Sequence, residues 1–220
     1  MKKDIKIAVI GVGHLGKHHV QHLSSIENVA LAGVFDTDRV RAEEISNTFK
    51  IDCFNSIQDL LNSVDAVSIV TPTKSHKAVA EVCIKAGKHV FIEKPITETV
   101  EEADALIGLS KEQNTIIQVG HIERLNPALL PLSEYELNPK FVEVQRLAPY
   151  MIRGSDVPVV LDLMIHDIDL ILTLIPSPVK HIESTGVSIM TNSVDIANAR
   201  ITFENGATAN LTSSRVAKDR

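Results

Sequence analysis

Lys3-Asp4-Ile5-Lys6-Ile7-Ala8-Val9-Ile10-Gly11-Val12-Gly13-His14-Leu15-Gly16 is a run of β-formers that breaks into Gly-x-Gly-x-x-Gly and then continues with helical spacing. Each glycine has its own task in such a turn. Gly11 permits the tight exit from the strand, Gly13 lets the backbone come up against a pyrophosphate, and Gly16 lets the new helix pack closely on the sheet. The helix then presents its N-terminal N–H groups to the phosphates. One helix length later the strand-like Val29–Phe35 ends in Asp36, twenty residues past Gly16. An acid there accepts hydrogen bonds from an adenosine ribose and repels a 2′-phosphate. The glycine triplet alone is a weak signal. Followed by a helix, a strand and an acid, it reads as a dinucleotide site that favours NAD. Arg39 and Arg41 follow closely enough to leave NADP open.

Composition narrows the rest. The 220 residues suit one large domain or two small ones, and 44% hydrophobic residues supply a core, which excludes a disordered chain. The net charge of −6 argues against nucleic acid or an anionic membrane as partner. Cys53 and Cys83 fit no metal or redox spacing and read as reduced thiols of a cytoplasmic protein. Met1-Lys2-Lys3 imitates the start of a signal peptide, but Asp4 and Lys6 interrupt the apolar run and Gly11 ends it. No window approaches the roughly 20 apolar residues of a membrane span.

Beyond the glycines, mostly apolar runs at 29–35, 51–54, 66–70, 88–92 and 115–119 alternate with helical segments at 38–49, 57–62, 75–86 and 100–113. Ala86-Gly87 reads as a helix stop, and Thr97 as the cap of the next helix, with Val100 and Ala103 facing inward. The alternation predicts a doubly wound parallel sheet over residues 1–120. Ligands on such sheets sit beyond the strand carboxyl ends. Thr71-Pro72-Thr73, Glu93-Lys94-Pro95 and Gly120-His121 fall at those ends. From 121 to 220 prolines punctuate the chain. A strand at 141–147, a long helix at 159–175, a strand at 180–190 and a hairpin at 196–213 turning on Glu204-Asn205-Gly206 predict a second, α+β domain. Its open, mainly antiparallel sheet has too few strands to be well covered, and we expect the chain to be a truncated one.

Two constellations bear chemistry. Lys94 leaves a buried strand at the ligand edge, its direction fixed by Pro95; withdrawn from bulk water beside a nicotinamide, it suits proton exchange with a substrate oxygen. An exposed lysine at a strand end is the equally weighted reading. Asp162, His166 and Asp169 are spaced by four and then three, which puts them on one face of a strongly apolar helix. An imidazole flanked by carboxylates has its tautomer fixed and suits removal of a hydroxyl proton; a buried network tying helix to sheet is the alternative. His14, His18 and His22 repeat every four residues, but nothing completes a zinc set and no metal is expected. Arg124, Arg146 and Arg153 suit either an anionic substrate group or ordinary salt bridges.

The glycine loop, Gly16-x-x-His19, Glu93-Lys94-Pro95, Gly120-His121-Ile122-Glu123-Arg124-Leu125-Asn126-Pro127 and Asp162-x-x-x-His166 occur in this order. Together they resemble the glucose–fructose oxidoreductase / inositol dehydrogenase (Gfo/Idh/MocA) family of sugar dehydrogenases. The resemblance implies an N-terminal Rossmann domain at 1–120 and a substrate-binding and oligomerisation domain at 121–220. It also implies a cis Lys94–Pro95 bond and catalytic roles for Lys94, His166 and Asp162. The expected cofactor contacts are Gly11, Val12, Gly13, His14, Leu15, Gly16, Asp36, Thr71, Pro72, His76, Glu93 and Lys94. The expected substrate contacts are Lys94, His121, Arg124, Asn126, Arg153, Asp162 and His166. Arg146-Leu147-Ala148-Pro149 and the 162–169 segment are similar to the members that act on nucleotide-linked sugars. The expectation is therefore an NAD-dependent dehydrogenase of a sugar ring hydroxyl, such as C3 of UDP-N-acetylglucosamine, assembled as a homo-oligomer through the second sheet. An inositol or free-sugar dehydrogenase and a non-catalytic dinucleotide sensor or scaffold are the alternatives.

Overall fold

The structure is a computed structural model that describes residues 4–151 and 157–218. It divides into two compact units, Met1–Gly120 and His121–Arg220. No helix of the described residues is long and apolar enough to cross a membrane.

In the first unit β1 (Ile5–Ile10), β2 (Val29–Phe35), β3 (Asp52–Cys53), β4 (Ala66–Ile69), β5 (His89–Ile92) and β6 (Ile117–Val119) form one sheet in the order β3-β2-β1-β4-β5-β6, every pairing parallel. The intervening helices are α1 (His14–Leu23), α2 (Arg39–Phe49), α3 (Ile57–Leu61), α4 (Thr73–Lys85) and α5 (Val100–Glu112). Successive side chains of β1 enter different cores, as the two-residue period requires. Ala8 and Ile10 join the cluster with α3, α4 and α5, and Val9 joins the one with α1 and α2. The sheet order reverses between β1 and β4, which is where open α/β sheets bind ligands.

One helix start differs from expectation. The cap of α5 is Thr99, whose side chain accepts from the Glu102 N–H, and Val100 is 70% exposed. Thr97 is buried and donates instead to the Thr99 carbonyl. An apolar residue at the first helical position lies beside the cap, where the helix has not yet settled onto the sheet.

In the second unit β7 (Phe141–Leu147), β8 (Val179–Val187), β9 (Ile196–Phe203) and β10 (Thr208–Ser214) pair in the order β7-β10-β9-β8. The β8–β9 and β9–β10 pairs are antiparallel and β10–β7 is parallel. The hairpin turns at Gly206, whose φ of +82° is open to glycine at no steric cost. The long helix expected at 159–175 is in two parts: a π-helical turn, Val160–Met164, and α6 (Ile165–Leu174). Both pack Val159, Met164 and Ile171 against Ala199, Ile201, Phe203 and Leu211 on one face of the sheet. The other face is open: Phe141, Glu143 and Leu147 of β7 and Asn198 and Arg200 of β9 are exposed. Cross-strand polar pairs, Arg200 to Asn210 at 3.0 Å and Asn198 to Thr212 at 2.8 Å, line it.

Candidate functional site

The glycine loop is built as the sequence requires. Gly11 has φ +90°, and a Cβ there would lie 2.7 Å from the Val70 carbonyl oxygen. A Cβ on Gly16 would lie 2.0 Å from the Gly11 carbonyl oxygen, so α1 can cross the strand end this closely only with hydrogen at that position. A Cβ on Gly13 would meet nothing within 4 Å; its missing side chain leaves room for a ligand rather than for protein. Asp36 closes the loop from the next strand. Its carboxylate accepts the Val12 N–H at 2.8 Å and the Asp38 N–H at 2.8 Å.

Helix ends add to this. The starts of α2, α3 and α5 are capped by the side chains of Asp38, Ser56 and Thr99. Those of α1 and α4, which follow the two strands flanking the switch point, have no side-chain cap. Uncapped N–H groups and the positive end of the helix dipole suit an anion. At the start of α4 the Thr71 hydroxyl oxygen is buried and has no hydrogen-bond partner among the described residues. Open space at Gly13, uncapped helix starts, a carboxylate beside the loop and a buried hydroxyl fit a pyridine dinucleotide, and the residues that could hold it are Gly11, Val12, Gly13, His14, Leu15, Gly16, Asp36, Thr71 and Pro72. The two nearby arginines are engaged with acids. Arg39 donates to Glu43 at 2.7 Å, while Arg41 lies 2.9 Å from Asp38 and 3.7 Å from Asp36.

Lys94 lies half-buried just past β5, and the Lys94–Pro95 bond is cis. Its neighbours are held by two histidines that sequence reasoning either passed over or assigned elsewhere. His19 of α1 reaches Ser68 with Nδ1 at 2.9 Å and Glu93 with Nε2 at 3.0 Å. His76 of α4, 1% exposed, sets Nδ1 at 2.9 Å from the Pro95 carbonyl oxygen and Nε2 at 2.9 Å from that of Thr71. Both ring nitrogens of His76, which was expected to touch cofactor, face the protein itself. The only sequence signal for His19 was its place after the glycine loop.

In the second unit Asp162 lies in the π-turn and His166 at the second residue of α6, both half-buried. Single π-turns in α-helices are frequent at functional sites. The third member of the expected face, Asp169, is committed elsewhere. It accepts two hydrogen bonds from Arg124, that from Nε at 2.7 Å, and lies 3.8 Å from Nδ1 of His121. Asp167, 2% exposed, takes three hydrogen bonds from Arg146 at 2.7–3.1 Å. These bonds raise the affinity of both guanidiniums for their protons. Arg124 and Arg146 are thus each paired with an aspartate, with the Arg124 side chain still 55% exposed, and Arg153 lies outside the described residues. Asn126 is tied to its own turn, donating to Glu123 at 3.0 Å and accepting from the Ala128 N–H at 3.0 Å. Among the described residues no group of three or more His, Cys, Asp or Glu side chains is arranged to hold a metal ion.

The family model described as "Oxidoreductase family, NAD-binding Rossmann fold" matches residues 5–121, and the "GFO/IDH/MocA C-terminal domain" matches residues 150–220. A UDP-N-acetylglucosamine 3-dehydrogenase of Acidithiobacillus ferrooxidans is 45% identical over 98% of this chain and 68% of its own length. A crystal form of that enzyme superposes with a TM-score of 0.92 over 98% of this chain and 69% of the other. A scyllo-inositol 2-dehydrogenase (NAD(+)) of Bacillus subtilis is 29% identical over 98% of this chain and 68% of its own.

Proposed function

The chain belongs to the Gfo/Idh/MocA family of NAD-binding oxidoreductases, and on that premise we propose that it oxidises the C3 hydroxyl of a nucleotide-linked amino sugar, UDP-N-acetylglucosamine. The observation that carries this reading is the gap in identity between the nucleotide-sugar relative and the inositol relative, matched over the same share of the chain. Bound NAD+ supplies the hydride acceptor. His166, oriented by Asp162, takes the hydroxyl proton, and the Lys94 ammonium polarises the same oxygen as the carbon–hydrogen bond gives up its electron pair. The product is a ketone, and the proton leaves on the imidazole. His121, Arg124, Asn126 and Arg153 are the proposed substrate contacts beside Lys94, Asp162 and His166. Glu93, one residue from the proposed acid/base lysine, is a proposed cofactor contact.

The open face of the second sheet is proposed to join subunits into a homo-oligomer, and the two thiols, both free, suit a reducing cytoplasm. The test is NADH formation by the purified protein with UDP-N-acetylglucosamine, other UDP-sugars, myo- and scyllo-inositol and free hexoses. The expected result is a kcat/KM for UDP-N-acetylglucosamine at least about tenfold above any other, a difference of about 1.4 kcal/mol. Preference for an inositol overturns the substrate. NADH binding without turnover on any of them overturns the enzyme in favour of a sensor.

A further inference from the structure

We propose that His19 and His76 are positioning residues for Lys94, holding the residues on either side of it so that its amine is aimed rather than free to sweep; the proposal rests on the acid/base role given to Lys94 above. The last rung of the sheet at this edge is the Glu93 N–H, which donates to the Ile69 carbonyl at 3.1 Å. Lys94 is the first residue beyond it. A lysine carries four rotatable side-chain carbons, so its ammonium is placed only as well as the backbone beneath it. That backbone is pinned at the residue before and the residue after.

Before Lys94, the Glu93 carboxylate is held by His19. A carboxylate only accepts, so the proton of the neutral ring sits on Nε2, and Nδ1 accepts from the Ser68 hydroxyl. Ser68 is 2% exposed in β4, and Phe91 meets the His19 ring edge-on at 5.6 Å, so the imidazole is fixed on several sides. Glu93 has little room of its own: a Cβ on Gly120 would lie 3.0 Å from its Oε1. After Lys94, the Pro95 carbonyl faces Nδ1 of His76, while Nε2 of the same ring faces the Thr71 carbonyl. Carbonyls also only accept. A proton on Nδ1 holds Pro95, and a proton on Nε2 holds Thr71. A neutral ring donates to one of the two, and the proposed role puts that proton on Nδ1, toward Pro95; the ring itself sits between the Lys94 turn and the start of α4, the edge where the Thr71 hydroxyl is buried. Misplacing a catalytic group by about 1 Å costs on the order of 100-fold in rate, which makes this support worth having.

The two histidines use opposite nitrogens toward the Lys94 turn, and that gives a crossed test. Asparagine places its amide near Nδ1 of a histidine, and glutamine near Nε2. His76→Asn keeps the donor to Pro95, and His76→Gln loses it; His19→Gln keeps the donor to Glu93, and His19→Asn loses it. In the purified full-length protein, with UDP-N-acetylglucosamine and NAD+, His76→Ala and His19→Ala are expected to lower kcat by about 10- to 100-fold. NADH affinity, read by fluorescence titration, should stay within about threefold, a bound that still separates aim from binding. His76→Asn and His19→Gln recover most of the loss, and His76→Gln and His19→Asn do not. In a Lys94→Ala background, followed in single turnovers with enzyme in excess, the histidine changes cost nothing further.

Recovery that follows side-chain volume instead of the crossed pattern, or losses that multiply with Lys94→Ala, overturns the positioning role and leaves that of Lys94 standing. A Lys94→Ala protein that turns over like the parent overturns the lysine assignment and this proposal together. Should the His76 variants not fold, the three His19 variants decide the question by themselves.

Discussion

The six-stranded sheet of the first unit has helices on both faces, α1 and α2 on one and α3, α4 and α5 on the other. The four-stranded sheet of the second is covered on one face by the π-turn and α6 and is open on the other. The two units treat their polar groups differently as a result. In the first, the groups suited to a ligand are backbone and small side chains at the strand ends: a glycine with space beside it, two uncapped helix starts and a buried hydroxyl. In the second, the charges lie on a helix against an apolar core, and burial there forces them into pairs, Asp167 with Arg146 and Asp169 with Arg124. Where a site is made of backbone, sequence spacing carries it. Where it is made of buried charges, the partner decides which of them is available.

Substitutions should separate the two kinds of site. The largest expected effects are on turnover. Lys94→Ala in the first unit and His166→Ala in the second are each expected to lower kcat by about 100- to 10,000-fold while NADH binds nearly as before, the range for a lost general acid or base. Loss of NADH binding in the lysine variant instead would move Lys94 from chemistry to cofactor retention.

Within the glycine loop, two alanines should behave in opposite ways. Gly16→Ala forces a methyl into the Gly11 carbonyl and should cost about 3 kcal/mol of stability, at the upper end of overpacking, seen as a fall in Tm. Gly13→Ala meets open space, so Tm should hold while NADH affinity drops about tenfold or more, 1.4 kcal/mol in binding terms. Equal loss of stability in both would show that the loop is packed against protein at Gly13 too.

Asp36→Ala should raise the NADP-to-NAD ratio of kcat/KM by about tenfold, since it removes the charge that repels a 2′-phosphate. Arg41, 3.7 Å from that carboxylate, is then released toward the same space. An unchanged ratio argues that Asp36 serves the loop alone, through its bond to the Val12 N–H.

The smallest effect is structural and depends on pH. Burial of Asp195 pushes its carboxyl up, but the N–H groups of Thr191, Ile189 and Met190 and the Thr191 hydroxyl outweigh this and hold it well below the usual carboxylate range. A depressed folded-state value means the stabilisation is complete above the unfolded value of about 3.9 and is lost as pH falls through the folded one. Asp195→Asn should therefore lower Tm by a few degrees near pH 7, with the gap to the parent narrowing below about pH 4. A gap independent of pH would assign the loss to packing.

The first unit was legible almost in full. Val29–Phe35 is a strand at the predicted bounds, and Asp36 follows it to the glycine loop, because strand period, turn chemistry and capping act within a few residues of chain. The cap of α5 slipped by two residues, since Thr97 and Thr99 are both fit for the position and packing chose between them. In the second unit the strands 141–147 and 196–203 fell where the alternation put them, but the helix did not stay continuous: a π-turn carries Asp162 ahead of His166.

What the sequence determined by itself is the order of elements and the tight turn at Gly11, Gly13 and Gly16. These follow from local rules of backbone and period. The tertiary structure alone decided the partners: His19 with Glu93, His76 with Pro95, Arg124 with Asp169 and Arg146 with Asp167. Those pairs are 74, 19, 45 and 21 residues apart along the chain. No periodicity reaches over such separations. A buried charge or imidazole takes whichever complementary group the folded core brings within about 3 Å, because leaving it unpaired costs several kcal/mol.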